Sequence, residues 1–201
     1  FHNHSSTRSY YYQYPLVQYK VIEGNAYVVG LNEGAQAIKD IADSITELDL
    51  GRSRYRVKET DLRTAHVDIN VTRKRKYKFL TPWIGLSQDR YNEFISLRDW
   101  RRKKALLNQS LINHILFMAK RLGYYIIPQI DAHTHLEITT VRYKGFKKIA
   151  FLGEFEVPFI IPDYAGLGKG TSVGFGTVKR CTGEENETDS SIHRGNRNRR
   201  Q

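Results

Sequence analysis

The stretch GLGKGTSVGFGTVKR, from Gly166 to Arg180, has five glycines within its first eleven residues. Glycine loses more conformational entropy on folding than any other residue, so this density predicts a backbone in left-handed conformations or one lying close against a ligand. Basic side chains lie among and after the glycines, at Lys169, Lys179 and Arg180. The stretch therefore favours a polyanionic ligand, and a mobile connection without a ligand is the alternative.

Two common phosphate-binding loops do not fit this stretch. A P-loop has Gly-Lys followed by Ser or Thr at the start of a helix, but Lys169 is followed by Gly170. A dinucleotide-binding loop leads into a helix, whereas residues 173–179 have the composition of a strand. The stretch therefore indicates neither a nucleoside triphosphate site nor a dinucleotide site.

The charge of the chain also points to an anionic partner. The chain has 201 residues and a net charge of +11, and its only cysteine, Cys181, excludes an internal disulfide and fits a cytoplasmic protein. Four acidic and four basic residues cancel within residues 182–201, so the excess positive charge belongs to the preceding part. A basic folded body indicates nucleic acid before a membrane surface. We expect residues 182–201 to be a disordered tail or linker.

The order of predicted elements indicates an α+β fold. The first part predicts strands at 14–22 and 26–31, a helix from Ala35 to Leu48 that Gly51 ends, and extended chain at 55–71. The second part predicts a strand at 77–86, a short helix or turn at 89–99, a long helix at 101–122, strands at 124–130, 135–143 and 146–157, and a closing strand. Each part is similar to a ferredoxin-like unit, β-α-β-β-α-β, and we expect the opening strand and helix of the first to precede Phe1.

The glycine-rich stretch closely resembles the C-terminal loop of the CRISPR-associated repeat-processing endoribonucleases, the Cas-six family of the RAMP superfamily. It is similar in glycine spacing and in the small pair Thr171-Ser172. The segment YKFLTPWIGL, residues 77–86, resembles the opening strand of that family's C-terminal half, so the likeness covers Phe1 to Arg180. The resemblance implies two ferredoxin-like units in tandem, a partial one at 1–74 and a second at 75–181.

Two histidines near the start have the chemistry that RNA cleavage needs. His2 and His4 precede three consecutive tyrosines, and imidazole transfers protons in both directions near neutral pH. An exposed terminus would have the same sequence. Resemblance to the subtype I-B-like branch implies that His2 and His4 carry catalysis with help from Tyr11. The implied reaction needs no metal or other cofactor: a 2′-hydroxyl attacks the adjacent phosphate, leaving 2′,3′-cyclic phosphate and 5′-hydroxyl ends, so DNA is not a substrate.

The implied partner is CRISPR repeat RNA, with effector-complex Cas proteins or a fused adaptation module as further partners. A catalytically inactive RNA-binding relative is the alternative. Basic residues at the start of the long helix oppose the helix dipole, so they indicate phosphate contacts or a solvated face. The residues predicted to bind RNA are Gly166, Gly168, Lys169, Gly170, Ser172, Gly174 and Gly176 of the loop, Arg101, Arg102, Lys103 and Lys104 of the helix, and Lys144 and Lys147 of a hairpin tip.

A metal site is a separate hypothesis. Asp131, His133 and His135 alternate along a predicted strand, so their side chains share a face and have the chemistry of zinc or iron ligands. Solvent-facing polar residues give the same pattern, and a metal-dependent hydrolase is therefore the third functional candidate. His114 lies within the apolar helix and is predicted to be a packed histidine.

Overall fold

The computed structural model describes residues 13–49, 53–125 and 130–181. Strands β1 (Val17–Ile22) and β2 (Asn25–Gly30) form the predicted antiparallel hairpin. Its turn residues Glu23 and Gly24 both have positive φ, 51° and 80°, which is the backbone of the tight turns that suit hairpin twist. Helix α1 (Glu33–Ala42) follows.

The predicted extent of helix α1 is wrong at its C-terminal end. The Ser44 hydroxyl donates to the carbonyl oxygen of Ile41, at 2.7 Å, and such a local bond competes with continuation of the helix. The chain then enters strand β3 (Glu47–Asp49), which pairs with β4 (Arg54–Arg56). Extended chain predicted over 55–71 forms regular strand only at its two ends.

A four-stranded antiparallel sheet forms the second part of the molecule. Its strands are β5 (Val71–Trp83), β6 (His133–Tyr143), β7 (Phe146–Phe159) and β8 (Val178–Arg180), in the order β6-β7-β5-β8. The first strand of the unit is thus central, as in a ferredoxin-like sheet, and the glycine-rich segment lies where that fold has its second helix. The predicted α+β class is confirmed. The boundary predicted between residues 74 and 75 falls within β5.

Helices α2 (Gln88–Ser96) and α3 (Trp100–Arg121) connect β5 to β6 and match their predicted positions within a few residues. Of the strand predicted at 124–130, the described residues are not in a strand. The core lies between α3 and the sheet, where it buries Leu107, Leu111, Ile115 and Met118 of α3 against Tyr77, Phe79, Phe155 and Val157. None of the helices in the described part of the chain is long and apolar enough to cross a lipid bilayer.

Candidate nucleic-acid interface

We call residues 166–180 the Gly-rich loop. Its glycines allow the backbone conformations and close contacts that the loop needs in order to fold. Gly168, Gly170, Gly174 and Gly176 have φ of 86°, 72°, 96° and 64°, in the left-handed region that other residues avoid. A Cβ atom on Gly168 would lie 2.7 Å from Nε1 of Trp83, and one on Gly176 would overlap the carbonyl oxygen of Leu167. The close approaches that these glycines permit are therefore to the protein's own atoms.

Backbone bonds fasten both ends of the Gly-rich loop to the rest of the sheet. The amide of Lys169 donates to the carbonyl oxygen of Ile84 at 3.1 Å, and the amide of Gly176 donates to that of Pro82 at 2.9 Å. Within the loop, the amide of Leu167 donates to the carbonyl oxygen of Gly176 at 2.9 Å. A short 3₁₀ turn (Thr171–Val173) forms the apex of the loop. These bonds favour a fixed loop over a mobile connection.

Polar side chains of β1 and of the residues just before it support the inner side of the Gly-rich loop. The Tyr14 hydroxyl donates to the carbonyl oxygen of Gly166 at 2.8 Å, and Oε1 of Gln18 accepts from the amide of Gly166 at 2.9 Å. Nζ of Lys20 donates to the same Gln18 oxygen at 2.9 Å and to Oγ1 of Thr177 at 3.1 Å. All four side chains are buried, so these bonds satisfy groups that water cannot reach.

Two threonines extend this network toward β5. The carbonyl oxygen of Gly174 accepts from Oγ1 of Thr81 at 2.6 Å and from Oγ1 of Thr177 at 3.0 Å, while the amide of Thr177 donates to Thr81 at 2.9 Å. Burial raises the pKa of the Tyr14 hydroxyl above its ordinary range and lowers the pKa of Lys20 to about 7. We call Tyr14, Gln18, Lys20, Thr81 and Thr177 the loop-support network.

A cleft of about 570 Å³ lies on the outer side of the Gly-rich loop. Its opposite wall is the tip of the β6–β7 hairpin, where Lys144 and Gly145 form a turn with φ of 49° and 82°. Tyr143 and Phe175 pack edge to face across it, with ring centroids 5.6 Å apart. The lining residues are Gln13, Pro15, Arg142, Tyr143, Lys144, Gly170, Thr171, Ser172, Val173 and Phe175.

The structure brings together some of the predicted RNA-binding residues. Lys144, Gly170 and Ser172 line the cleft, and Lys147 lies opposite Arg142 in the register of the hairpin. Lys169 is exposed on the loop, whereas Gly166, Gly174 and Gly176 are buried behind the cleft wall.

The basic cluster of α3 is separate from the cleft, because α3 contributes none of its lining residues among the described part of the chain. Asp99 caps the helix by accepting from the amide of Arg101 at 2.9 Å, and this carboxylate offsets the unfavourable charge at the helix start. Nζ of Lys103 lies 4.8 Å from the ring centroid of Phe94, so its contact is within the protein. Arg101 and Arg102 are exposed, and Lys104 is half-buried.

The predicted catalytic residues His2, His4 and Tyr11 lie outside the described residues. The first described residue, Gln13, lines the cleft, so the segment that carries them joins the described chain at this site.

The predicted metal ligands do not form a cluster. His133 and His135 are exposed on β6, and Nε2 of His133 lies 3.1 Å from Nζ of Lys74, a cation that disfavours a metal ion there. Within residues 13–49, 53–125 and 130–181, no group of three or more His, Cys, Asp and Glu side chains is positioned to hold a metal. His114 packs edge to face on Trp83, 5.7 Å between centroids, and burial lowers its pKa to about 4, as expected of a packed histidine.

The loop-support network and the aromatic pair Tyr143 and Phe175 were not found from the sequence. Polar Gln18 and Lys20 occupy two of the three buried positions of β1, the third being Ile22, and Tyr19 and Val21 are exposed. Alternation alone predicts the opposite orientation of this strand. The aromatic pair has no sequence signal that separates it from the chain's other tyrosines and phenylalanines.

Comparison with known proteins identifies the family. Residues 1–68 match the family model of the Cas6b N-terminal domain, and residues 70–181 match that of the Cas6b C-terminal domain. The uncharacterized protein MJ0978 of Methanocaldococcus jannaschii is 40% identical over 143 residues, which are 70% of this chain and 97% of that protein.

Solved structures agree with the family models. A crystal structure of Cas6b is similar with a TM-score of 0.80 and 28% identity, covering 85% of this chain and 79% of that one. A crystal structure of the CRISPR RNA processing endoribonuclease Cas6b is similar with a TM-score of 0.70 and 28% identity, covering 84% of this chain and 83% of that one. This likeness confirms the predicted tandem ferredoxin-like fold. The chain therefore belongs to the Cas6b family of the Cas6 repeat-processing proteins.

Proposed function

We propose that this protein is an endoribonuclease that processes CRISPR precursor RNA by cutting within its repeats, without a metal ion. The observation that supports this proposal is the cleft between the Gly-rich loop and the β6–β7 tip, which combines basic and aromatic side chains. Gln13, the first described residue after the proposed catalytic residues, also lines this cleft. Membership of the Cas6b family supports the same substrate class. The proposed partner is repeat RNA in the cytoplasm, with effector-complex Cas proteins or a fused adaptation module receiving the product.

The cleft has the side chains that single-stranded RNA requires. Arg142 and Lys144 offer cations to phosphates, a contact that depends on salt but not on base sequence. Tyr143 and Phe175 offer ring faces or edges to unstacked bases. Ser172 adds a hydroxyl at the opposite wall, and Lys169 adds an exposed ammonium group on the Gly-rich loop outside the cleft lining.

The proposed chemistry is acid–base catalysis by the segment that precedes Gln13. One of His2 and His4 removes the proton from the 2′-hydroxyl, the hydroxyl oxygen attacks phosphorus, and the other protonates the leaving 5′-oxygen. Tyr11 assists this transfer. Such catalysis contributes about 10²–10⁴-fold, and positioning by the cleft contributes the remainder. Eight residues lie between His4 and Gln13, so the extended chain spans at most about 30 Å from one to the other.

The test is cleavage of repeat RNA in excess chelator. We expect cleavage to persist, to give a 2′,3′-cyclic phosphate, and to stop when a single 2′-deoxy nucleotide is placed at the scissile position. Loss of cleavage in chelator that zinc or manganese restores would overturn the metal-independent reaction. Binding without cleavage would identify the protein as an inactive RNA-binding relative.

A matched pair of histidine variants tests the site. We expect His4→Ala to lower the single-turnover rate by at least about 10²-fold with little change in RNA affinity. His193→Ala, in the segment predicted as a tail, serves as the control and should cut at the normal rate. A normal rate for His4→Ala would remove the site assignment while leaving the family intact.

A further inference from the structure

Lys20 is a buried lysine with a hydrogen-bonding pattern that suits a neutral amine. Only 3% of the surface of Lys20 is exposed to solvent. A neutral amine has two N–H groups, and Nζ of Lys20 has two acceptors, Oε1 of Gln18 at 2.9 Å and Oγ1 of Thr177 at 3.1 Å. Both acceptors are uncharged groups, so both N–H groups of the neutral amine have acceptors, and a third N–H of the ammonium form would have none among these two.

The elements packed against Lys20 supply no opposite charge. Among the described residues, no carboxylate forms an ion pair with Lys20, and burial is what lowers its pKa to about 7. Neighbouring titratable groups have other partners. Tyr27 of β2 stacks on Tyr164, and Nζ of Lys179 lies over the Tyr164 ring. The carboxylates of Glu23 and Asp163 interact electrostatically with Lys179. Thr81 of β5 and Thr177 of the loop are neutral.

The Gly-rich loop, whose apex lines the cleft, packs against Lys20. A Cβ on Gly174 would lie 3.3 Å from Cα of Lys20, so the inner side of the loop packs directly on this residue. On the outer side, Ser172 and Val173 are exposed and line the cleft. A phosphate bound there would favour the charged form of a nearby amine, because an opposite charge stabilises the ammonium ion.

We propose that Lys20 is a positioning residue for RNA, whose amino group braces the Gly-rich loop from within and takes up a proton when RNA binds to its outer side. The proposal rests on the RNA-binding function proposed above and adds a linked proton to it. The amine gains one proton from solvent, and no covalent bond changes. RNA affinity therefore falls as pH rises above about 7, because a larger fraction of the free protein must be protonated on binding.

The experiment measures proton uptake on binding of fully 2′-O-methylated repeat RNA, which cannot be cleaved. Calorimetry at about pH 8, in two buffers with different ionisation enthalpies, should show uptake of a substantial fraction of one proton by the wild-type protein. Lys20→Met keeps the length of the side chain without the amine and should abolish this uptake. Between about pH 7 and 9, wild-type affinity should fall about threefold to tenfold more than that of Lys20→Met.

Lys144→Met is the matched control, because Lys144 is an exposed lysine of the same cleft. It should weaken binding and leave proton uptake unchanged. Binding without uptake, or equal uptake by Lys20→Met, overturns the role of Lys20 and leaves the proposed function intact. If the wild-type protein binds no repeat RNA, the proposed function falls, and this role falls with it.

A direct titration keeps the proposal testable if Lys20→Met does not fold. The carbon-13 resonance of the Lys20 side chain reports its protonation in the wild-type protein, with and without the 2′-O-methylated RNA. We expect RNA to raise the pKa of Lys20. An unchanged pKa would overturn the proposal.

Discussion

Strands β1 and β5 both alternate apolar and polar residues, yet β5 buries aromatic side chains where β1 buries two polar ones beside Ile22. In β5, Tyr77 and Phe79 are buried and Lys78 is exposed. In β1, Gln18 and Lys20 are buried, while Tyr19 and Val21 are 51% and 68% exposed.

The difference follows from what packs on each strand. The buried face of β5 lies within the apolar core with α3, where side chains need only fill space. The buried face of β1 lies against the Gly-rich loop, which presents bare amide and carbonyl groups. Such groups cost free energy when buried without partners, so the strand beneath them needs polar side chains. The buried face of β5 therefore requires apolar side chains that fill space, whereas that of β1 requires polar side chains that bond to backbone groups.

The largest expected effect comes from adding a methyl group to the loop. Gly176→Ala should lower the free energy of unfolding by about 4 kcal/mol or more, because the new Cβ would overlap the Leu167 carbonyl oxygen at a φ of 64°. Gly145→Ala is the control: φ is 82° there, but the Cβ would have nothing within 4 Å, so we expect about 1 kcal/mol. Urea unfolding measures both, and similar losses would show that the loop is not tightly packed.

In the core between α3 and the sheet, the effect of a substitution on stability depends on how much buried side-chain volume it removes. Leu111→Ala, at a residue that is 0% exposed, should cost about 3 kcal/mol through lost burial and a cavity. Leu116→Ala, on the same helix but 37% exposed, should cost less than about 1 kcal/mol. If the two losses are equal in urea unfolding, α3 does not face the sheet as described.

The two regions should also differ in the pH range that affects stability. The pKa of His114 is lowered to about 4 beside Trp83, and that of Lys20 to about 7 beneath the loop. Between each folded value and the ordinary value, the unfolded chain binds more protons, so stability rises with pH. His114 therefore affects stability from about pH 4 to 6.5, and Lys20 from about pH 7 to 10.5.

Variants separate these two windows. Lys20→Met should flatten the dependence of the unfolding free energy on pH above 7 only, and His114→Leu below 6.5 only. Thermal or urea unfolding across the pH range checks both. A Lys20→Met protein that keeps the upper slope would show that another group titrates there.

The sequence could predict what depends on periodicity and missed what depends on tertiary neighbours. Helix α3 was predicted within a residue because Leu107, Leu111 and Ile115 recur at helical spacing. The predicted C-terminal end of helix α1 is too late, because Ile45 and Leu48 keep the helical spacing although the helix ends at Ala42.

In the candidate site, too, residues with a local sequence signal could be predicted and residues that depend on tertiary contacts could not. Lys144 and Ser172 were found through charge and motif, since both are local properties of the sequence. The side chains beneath the loop could not be found, because the burial of Lys20 depends on Thr177, which is 157 residues away along the chain.

The smallest effect tests the loop-support network most directly. Thr177→Val keeps the volume of the buried side chain but removes the hydroxyl that accepts from Lys20 and donates to Gly174. The loss should be about 1–2 kcal/mol, and no larger, because Lys20 keeps Gln18 and the Gly174 carbonyl keeps Thr81. Thr140→Val, on the exposed face of β6, is the control and should change stability by less than about 0.5 kcal/mol. Equal stabilities for the two variants in urea unfolding would mean that the hydroxyl does not support the loop. The inverted burial of β1 would then need a cause other than the polar backbone above it.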